Sequence, residues 1–136
     1  MKQKIPVVPC SGIGKSYGSV AREAAYRVTE DLCPEKTTLV PLALLVLGGE
    51  EAASELGEAK AITIDGCKHA CAAKVVAESG GTVAHALDVP DVFRRHRHLK
   101  PSGIAELDEN GHKLAQVLAE EIKELIDSTV GDVRHA

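Results

Sequence analysis

Residues 61–71 read Ala61-Ile-Thr-Ile-Asp65-Gly66-Cys67-Lys-His-Ala-Cys71, and the character of the chain changes twice within them. Ala61 to Ile64 have the short, apolar, β-branched make-up of a buried strand. Asp65-Gly66 is a turn signal. Cys67 to Ser79 then read as a helix, which would put Cys71 one turn after Cys67. Strand, turn and helix in that order form the unit from which parallel α/β sheets are built, and the flanking sequence repeats it.

Towards the N-terminus, Lys4 to Val8 form an apolar strand, followed by the small-residue loop Pro9-Cys10-Ser11-Gly12-Ile13-Gly14-Lys15-Ser16. Val20, Ala21, Ala24, Ala25, Val28 and Leu32 recur at intervals of three and four, a helical stripe that Pro34 ends. Thr37 to Val40 read as a second strand. Leu42 to Leu47 suit either more strand or a buried helical turn, Gly48-Gly49 interrupts, and Glu50 to Leu56 read as a short helix.

On the C-terminal side, Gly80-Gly81 closes the Cys67–Ser79 helix. Thr82 to Leu87 is a fourth strand, Asp91 to His96 a helical segment, and Lys100 to Gly103 a loop. The last helix, Asn110 to Thr129, carries Leu114, Val117, Leu118, Ile122, Leu125 and Ile126 on one face. The alternation predicts a single α/β domain over residues 1–136. It is a three-layer sandwich around a four-stranded parallel sheet of order 2-1-3-4, Rossmann- or flavodoxin-like, with a long C-terminal helix.

The 136 residues are 44% hydrophobic, yet Trp is absent and Phe, Tyr and Met number one, two and one. The core must therefore be aliphatic. A net charge of −4 argues against nucleic acid as a partner. The apolar run Leu39 to Leu47 is too short for a membrane span, and Met1 to Lys4 lead into the first strand without a signal-peptide core. The expectation is a cytoplasmic protein with a small-molecule or protein partner, a homo-oligomer included. Four cysteines in that setting point to metal ligands or reactive thiols rather than disulfides.

In such a sheet, ligands bind beyond the carboxyl ends of the strands, where strand order reverses. Strands one and three are neighbours there, so Cys10 and Cys67 should approach within about one strand spacing, ~5 Å. Cys71 can face the same point from its helix. Three convergent thiolates suit zinc or another soft cation, or a nucleophile with resolving partners. In the second case Cys10 is the nucleophile and Cys67 or Cys71 resolves. Backbone N–H groups of Ser11, Gly12 and Gly14 would stabilise the Cys10 thiolate, and Asp65 and Gly66 would shape the turn. The expected thiolate fraction falls from Cys10 to Cys67 to Cys71. Cys33 ends a helix that begins beside Cys10, and about 17 residues at 1.5 Å carry it ~25 Å away. His69 points round its helix from Cys67 and reads as solvent-exposed. The basic run Arg94 to Lys100 reads as a solvated helix end.

Other uses of the first loop match less well. Gly14-Lys15-Ser16 has the ending of a Walker A loop, but Pro9 stands where its first glycine belongs. A cysteine phosphatase needs Arg where Ser16 stands. The loop alone resembles that of the cysteine-phosphorylated B components of bacterial sugar phosphotransferase systems, which implies an anion- or phosphocysteine-carrying domain.

Taken together, Cys10-Ser-Gly, the helix with Ala24-Ala25-Tyr26, and Asp65-Gly66-Cys67-Lys-His-Ala-Cys71-Ala resemble the DGC-domain family over most of the chain. The resemblance implies a small α/β domain and a cysteine-bound zinc. The family pattern has a further cysteine in the stretch that here reads Leu39-Val40-Pro41-Leu42. Its absence leaves Cys10, Cys67 and Cys71 as protein ligands and implies an open coordination position, or no resident metal, rather than a closed site.

Overall fold

A computed structural model describes residues 4–12 and 14–135, with side chains described except at 52, 53 and 129–135. Four strands, β1 (Ile5–Pro9), β2 (Thr37–Leu39), β3 (Lys60–Asp65) and β4 (Thr82–Asp88), form one parallel sheet in the order β2-β1-β3-β4. Among the described residues, six α-helices connect and cover them: α1 (Ser16–Tyr26), α2 (Leu42–Leu47), α3 (Gly49–Leu56), α4 (Cys71–Glu78), α5 (Val89–Arg95) and α6 (Glu109–His135). The class, the strand order and the long last helix are those expected from the sequence.

Two prolines in the central strand need explaining, because proline cannot donate to a ladder. In a parallel strand, alternate residues bond to opposite neighbours. The Ile5 N–H bonds to Lys36 in front of β2 and the Cys10 N–H to Ile64 of β3. Odd residues therefore face β2 and even ones β3. Pro6 faces β3 one residue before that pairing begins at Val7, and Pro9 faces β2 after that pairing ends at Val7. Neither position needs a donor.

The central strands are dry. Val7, Val8, Ala61 and Ile64 are fully buried, because helices cover both faces of the sheet. On one face α6 lies along α1 and on the π-helical turn Arg27–Leu32 that prolongs it; on the other, α4 packs on β3 and β4 and against α2. Leu114, Leu118, Ile122 and Ile126 carry the apolar stripe of α6 into the core, all with no exposure. No described helix is long and apolar enough to cross a membrane.

One open reading is decided and one changes. Of the two alternatives for Leu42 to Leu47 the helical one holds, with only Leu45 buried. The β3-following helix starts at Cys71, not at Cys67. Ala70 stands in the left-handed region at φ 56 and ψ 46, a conformation no interior helical residue can take. Residues 66–70 are thus a loop, and Cys71 is the first residue of α4 rather than one turn inside it.

Candidate functional site

The carboxyl ends of β1 and β3 lie side by side, with Pro9 opposite Ile64. Cys10 continues the strand by one bond, its N–H donating to Ile64 C=O at 2.9 Å. Its side chain is 7% exposed. The Gly66 N–H donates to Cys10 Sγ at 3.1 Å. The β1 thiol is thereby held inside the Asp65-Gly66-Cys67 turn.

Three glycines make that approach feasible. The Gly12 loop, the first turn of α1 at Gly18, and Gly66 are stacked backbone on backbone. A Cβ on Gly18 would lie 2.1 Å from the Gly12 carbonyl oxygen, and one on Gly66 would lie 2.8 Å from the Gly18 nitrogen. No other residue fits these contacts, and Gly12 also takes a positive φ of 48.

The donor to the Cys10 sulfur is not the one expected. Among the described residues, Ser11, Gly12 and Gly14 make no hydrogen bond to it, and Gly66 does. Burial pushes the Cys10 thiol above its ordinary value of 9.0. The Gly66 bond and the Arg22 guanidinium pull it down by less, while Asp65 and Cys67 push it further up. Burial thus favours the protonated form of Cys10 and works against the activation expected of the first loop. A loop that encloses its cysteine desolvates it before it can activate it.

Asp65 closes β3 with a carboxylate that is 3% exposed. Oδ1 accepts from Ala72 N–H at 2.8 Å and Oδ2 from Ala73 N–H at 3.4 Å, so Asp65 caps α4 from six residues before its start. Burial raises its pKa above 3.8, those two bonds lower it, and Asp88 raises it again. Asp88 stands opposite Asp65 in the ladder and caps α5 in the same way, accepting from Asp91 N–H at 2.8 Å. Gly66, the expected turn residue, sits where the sequence placed it and is buried.

The other two thiols face outwards to different degrees. Cys67 is half-buried, lies near enough to Cys10 to affect its ionisation, and lines a cavity of about 200 Å³ with Asp65 and Asp88. Cys71 is exposed. Among the described residues, no three His, Cys, Asp or Glu side chains are gathered so as to hold a metal ion. The donor chemistry of the edge suits zinc, but the placement does not complete a zinc cage. Cys33 is buried just before β2, where its carbonyl accepts from Thr37 Oγ1 at 2.7 Å, at the amino edge of the sheet. His69 is exposed.

Sequence reasoning passed over three residues that build this edge. Gly18 carries no sequence signal of its contact. Arg22, near Cys10, bonds to the Ser11 carbonyl and to Ser19 Oγ, so it ties the first loop to α1. Asp88 could have been found, because His85-Ala-Leu-Asp88 ends its strand on the same acid as Ile62-Thr-Ile-Asp65.

A family model for the DGC domain matches residues 6–126. The chain belongs to the DGC-domain family. The match runs from β1 into α6 and takes in Cys10, Cys33, Cys67 and Cys71, so this DGC domain is a small cysteine-containing α/β protein. Comparison with curated proteins and with solved structures finds no match.

Proposed function

We propose that this DGC domain takes up a soft divalent cation, zinc first, at the carboxyl edge of its sheet through Cys10, Cys67 and Cys71. The supporting observation is the Gly66 bond to Cys10 Sγ at 3.1 Å across 56 residues of sequence. It gives the thiol after β1 and the two thiols of the 67–71 segment one shared edge. Thiolates favour zinc over hard cations. The side chains as they stand are not a closed cage, so the reading is of an open set that leaves room for an outside ligand. Four free thiols fit a reducing compartment, and the cytoplasm is proposed on that ground.

Titration of the reduced, metal-free protein with zinc against a chromophoric chelator tests it. One zinc per chain is expected, with affinity at least ~10-fold lower in Cys67→Ser and in Cys71→Ser. Unchanged affinity in both variants would overturn the metal reading.

One observation favours a second reading, thiol exchange. Cys71 is exposed on the first residue of α4, where an outside thiol or disulfide can reach it. Exchange would start at Cys71 with Cys67 resolving, rather than at the buried Cys10. Elemental analysis of anaerobically purified protein separates the two readings. The burial of Cys10 gives a phosphocysteine carrier little support.

A further inference from the structure

The helical pair α2–α3 presents an apolar edge that the thiol site does not use. Val46 and Leu47 are 68% and 75% exposed, side by side at the end of α2. A groove of about 470 Å³ separates Val46 from Val75 and Glu78 of α4, and a second of about 450 Å³ lies along Glu50, Glu51 and Glu55 of α3. Among the described residues these four glutamates form no ion pair. Lys74, the nearest cation on α4 in sequence, lines neither groove.

Charge decides what can cover this edge. A second copy docked symmetrically through Leu47 would bring two sets of glutamates together and leave them unneutralised. A basic segment would neutralise them. The first groove also has a direction. Cys71 lies four residues before Val75 on α4, hence on the same helical face one turn nearer the carboxyl edge.

We propose that the α2–α4 groove docks a partner protein's segment bearing an apolar anchor flanked by Lys or Arg, and that the docked segment runs towards the exposed Cys71. The docking rests on the surface alone; its link to Cys71 rests on the thiol edge described above. A partner that exchanged a cation or a disulfide with this protein would meet Cys71 first.

Two synthetic peptides test this on reduced, metal-free protein, so the outcome does not depend on zinc binding. Each carries a leucine anchor and one cysteine as its mixed disulfide with thionitrobenzoate, flanked by lysines in one and by glutamates in the other. Cys71 thiolate attacks the peptide sulfur, a protein–peptide disulfide forms, and thionitrobenzoate leaves as a coloured thiolate. At low salt the lysine peptide is expected to react roughly tenfold faster than the glutamate peptide, with the adduct mapped to Cys71. The double substitution Val46→Ser/Leu47→Ser should remove most of that advantage while the rate with a small uncharged disulfide stays the same. Glu50→Lys/Glu51→Lys/Glu55→Lys should narrow or invert the preference. Equal rates for the two peptides, or an advantage untouched by the serine substitutions, would overturn the proposal. A dimer in sedimentation that the serine substitutions dissociate would also overturn it, by naming a second copy as the occupant.

Discussion

The molecule contains the same junction twice. After β1 and after β3 the chain leaves the sheet, passes a glycine and a cysteine, and enters a helix. At the first junction the thiol is enclosed and 7% exposed, its pKa pushed up by burial, and α1 begins at Lys15-Ser16 with no side-chain cap. At the second, a buried aspartate caps α4 from the strand end and the thiols of Cys67 and Cys71 are half-buried and exposed. What separates them is where the loop's backbone goes. Gly12 folds in against Gly18 and Gly66 and closes over Cys10. The 66–70 loop is lifted by the left-handed Ala70, and its first backbone N–H is spent on the other junction's sulfur. One layout thus gives a sealed thiol and an open pair.

The contrast breaks most completely at Gly18. Gly18→Ala puts a methyl group 2.1 Å from the Gly12 carbonyl oxygen and 2.5 Å from its Cα, backbone atoms that cannot step aside. A loss of ~3 kcal/mol or more is expected by chemical denaturation. Gly14→Ala, where nothing lies within 4 Å but φ is +90, should cost only ~1 kcal/mol. Equal costs would mean that the glycine stack does not hold the first junction shut.

Asp65→Ala attacks the second junction. It strips the cap from α4 and leaves a buried Ala72 N–H without its partner, which should cost ~1–3 kcal/mol. Asp65→Asn keeps an acceptor and should recover part of that. Chemical denaturation of both variants reads the difference, and an Asp65→Ala protein as stable as the parent would show that α4 is not capped from β3.

The two junctions should also differ in reactivity. Limited alkylation of the metal-free protein near neutral pH, followed by peptide mapping, is expected to label Cys71, then Cys67, then Cys10, following exposure. Linkage adds a pH arm. The folded Cys10 pKa lies above the unfolded 9.0, so between those values the native state keeps a proton that the unfolded chain releases. The native state then binds more protons than the unfolded one, and stability falls as pH rises past about 9. Cys10→Ser should flatten that slope. Early labelling of Cys10 would contradict its enclosure.

The smallest effect is expected at Cys33. Its place at the amino edge keeps it from both junctions, so Cys33→Ser should leave zinc affinity and the alkylation order unchanged. Loss of either would require the amino and carboxyl edges to communicate.

Much of this was legible in the residues themselves. Apolar runs bounded by Gly, Pro and Asp set four strands, and the three-and-four spacing in α1 and α6 set the helices that cover them. Sequence order with right-handed crossovers then brought Cys10 and Cys67 to one edge and sent Cys33 to the other. These features depend on local periodicity and chain direction, which a sequence carries explicitly. Tertiary structure alone decided whether each thiol is sealed or open, which N–H reaches the Cys10 sulfur, and that Asp65 caps a helix beginning six residues later. Those outcomes turn on contacts of a few ångströms between segments far apart in the chain, at Gly12, Gly18 and Gly66 above all. A glycine's type records that backbone can come close there; it does not record which backbone comes.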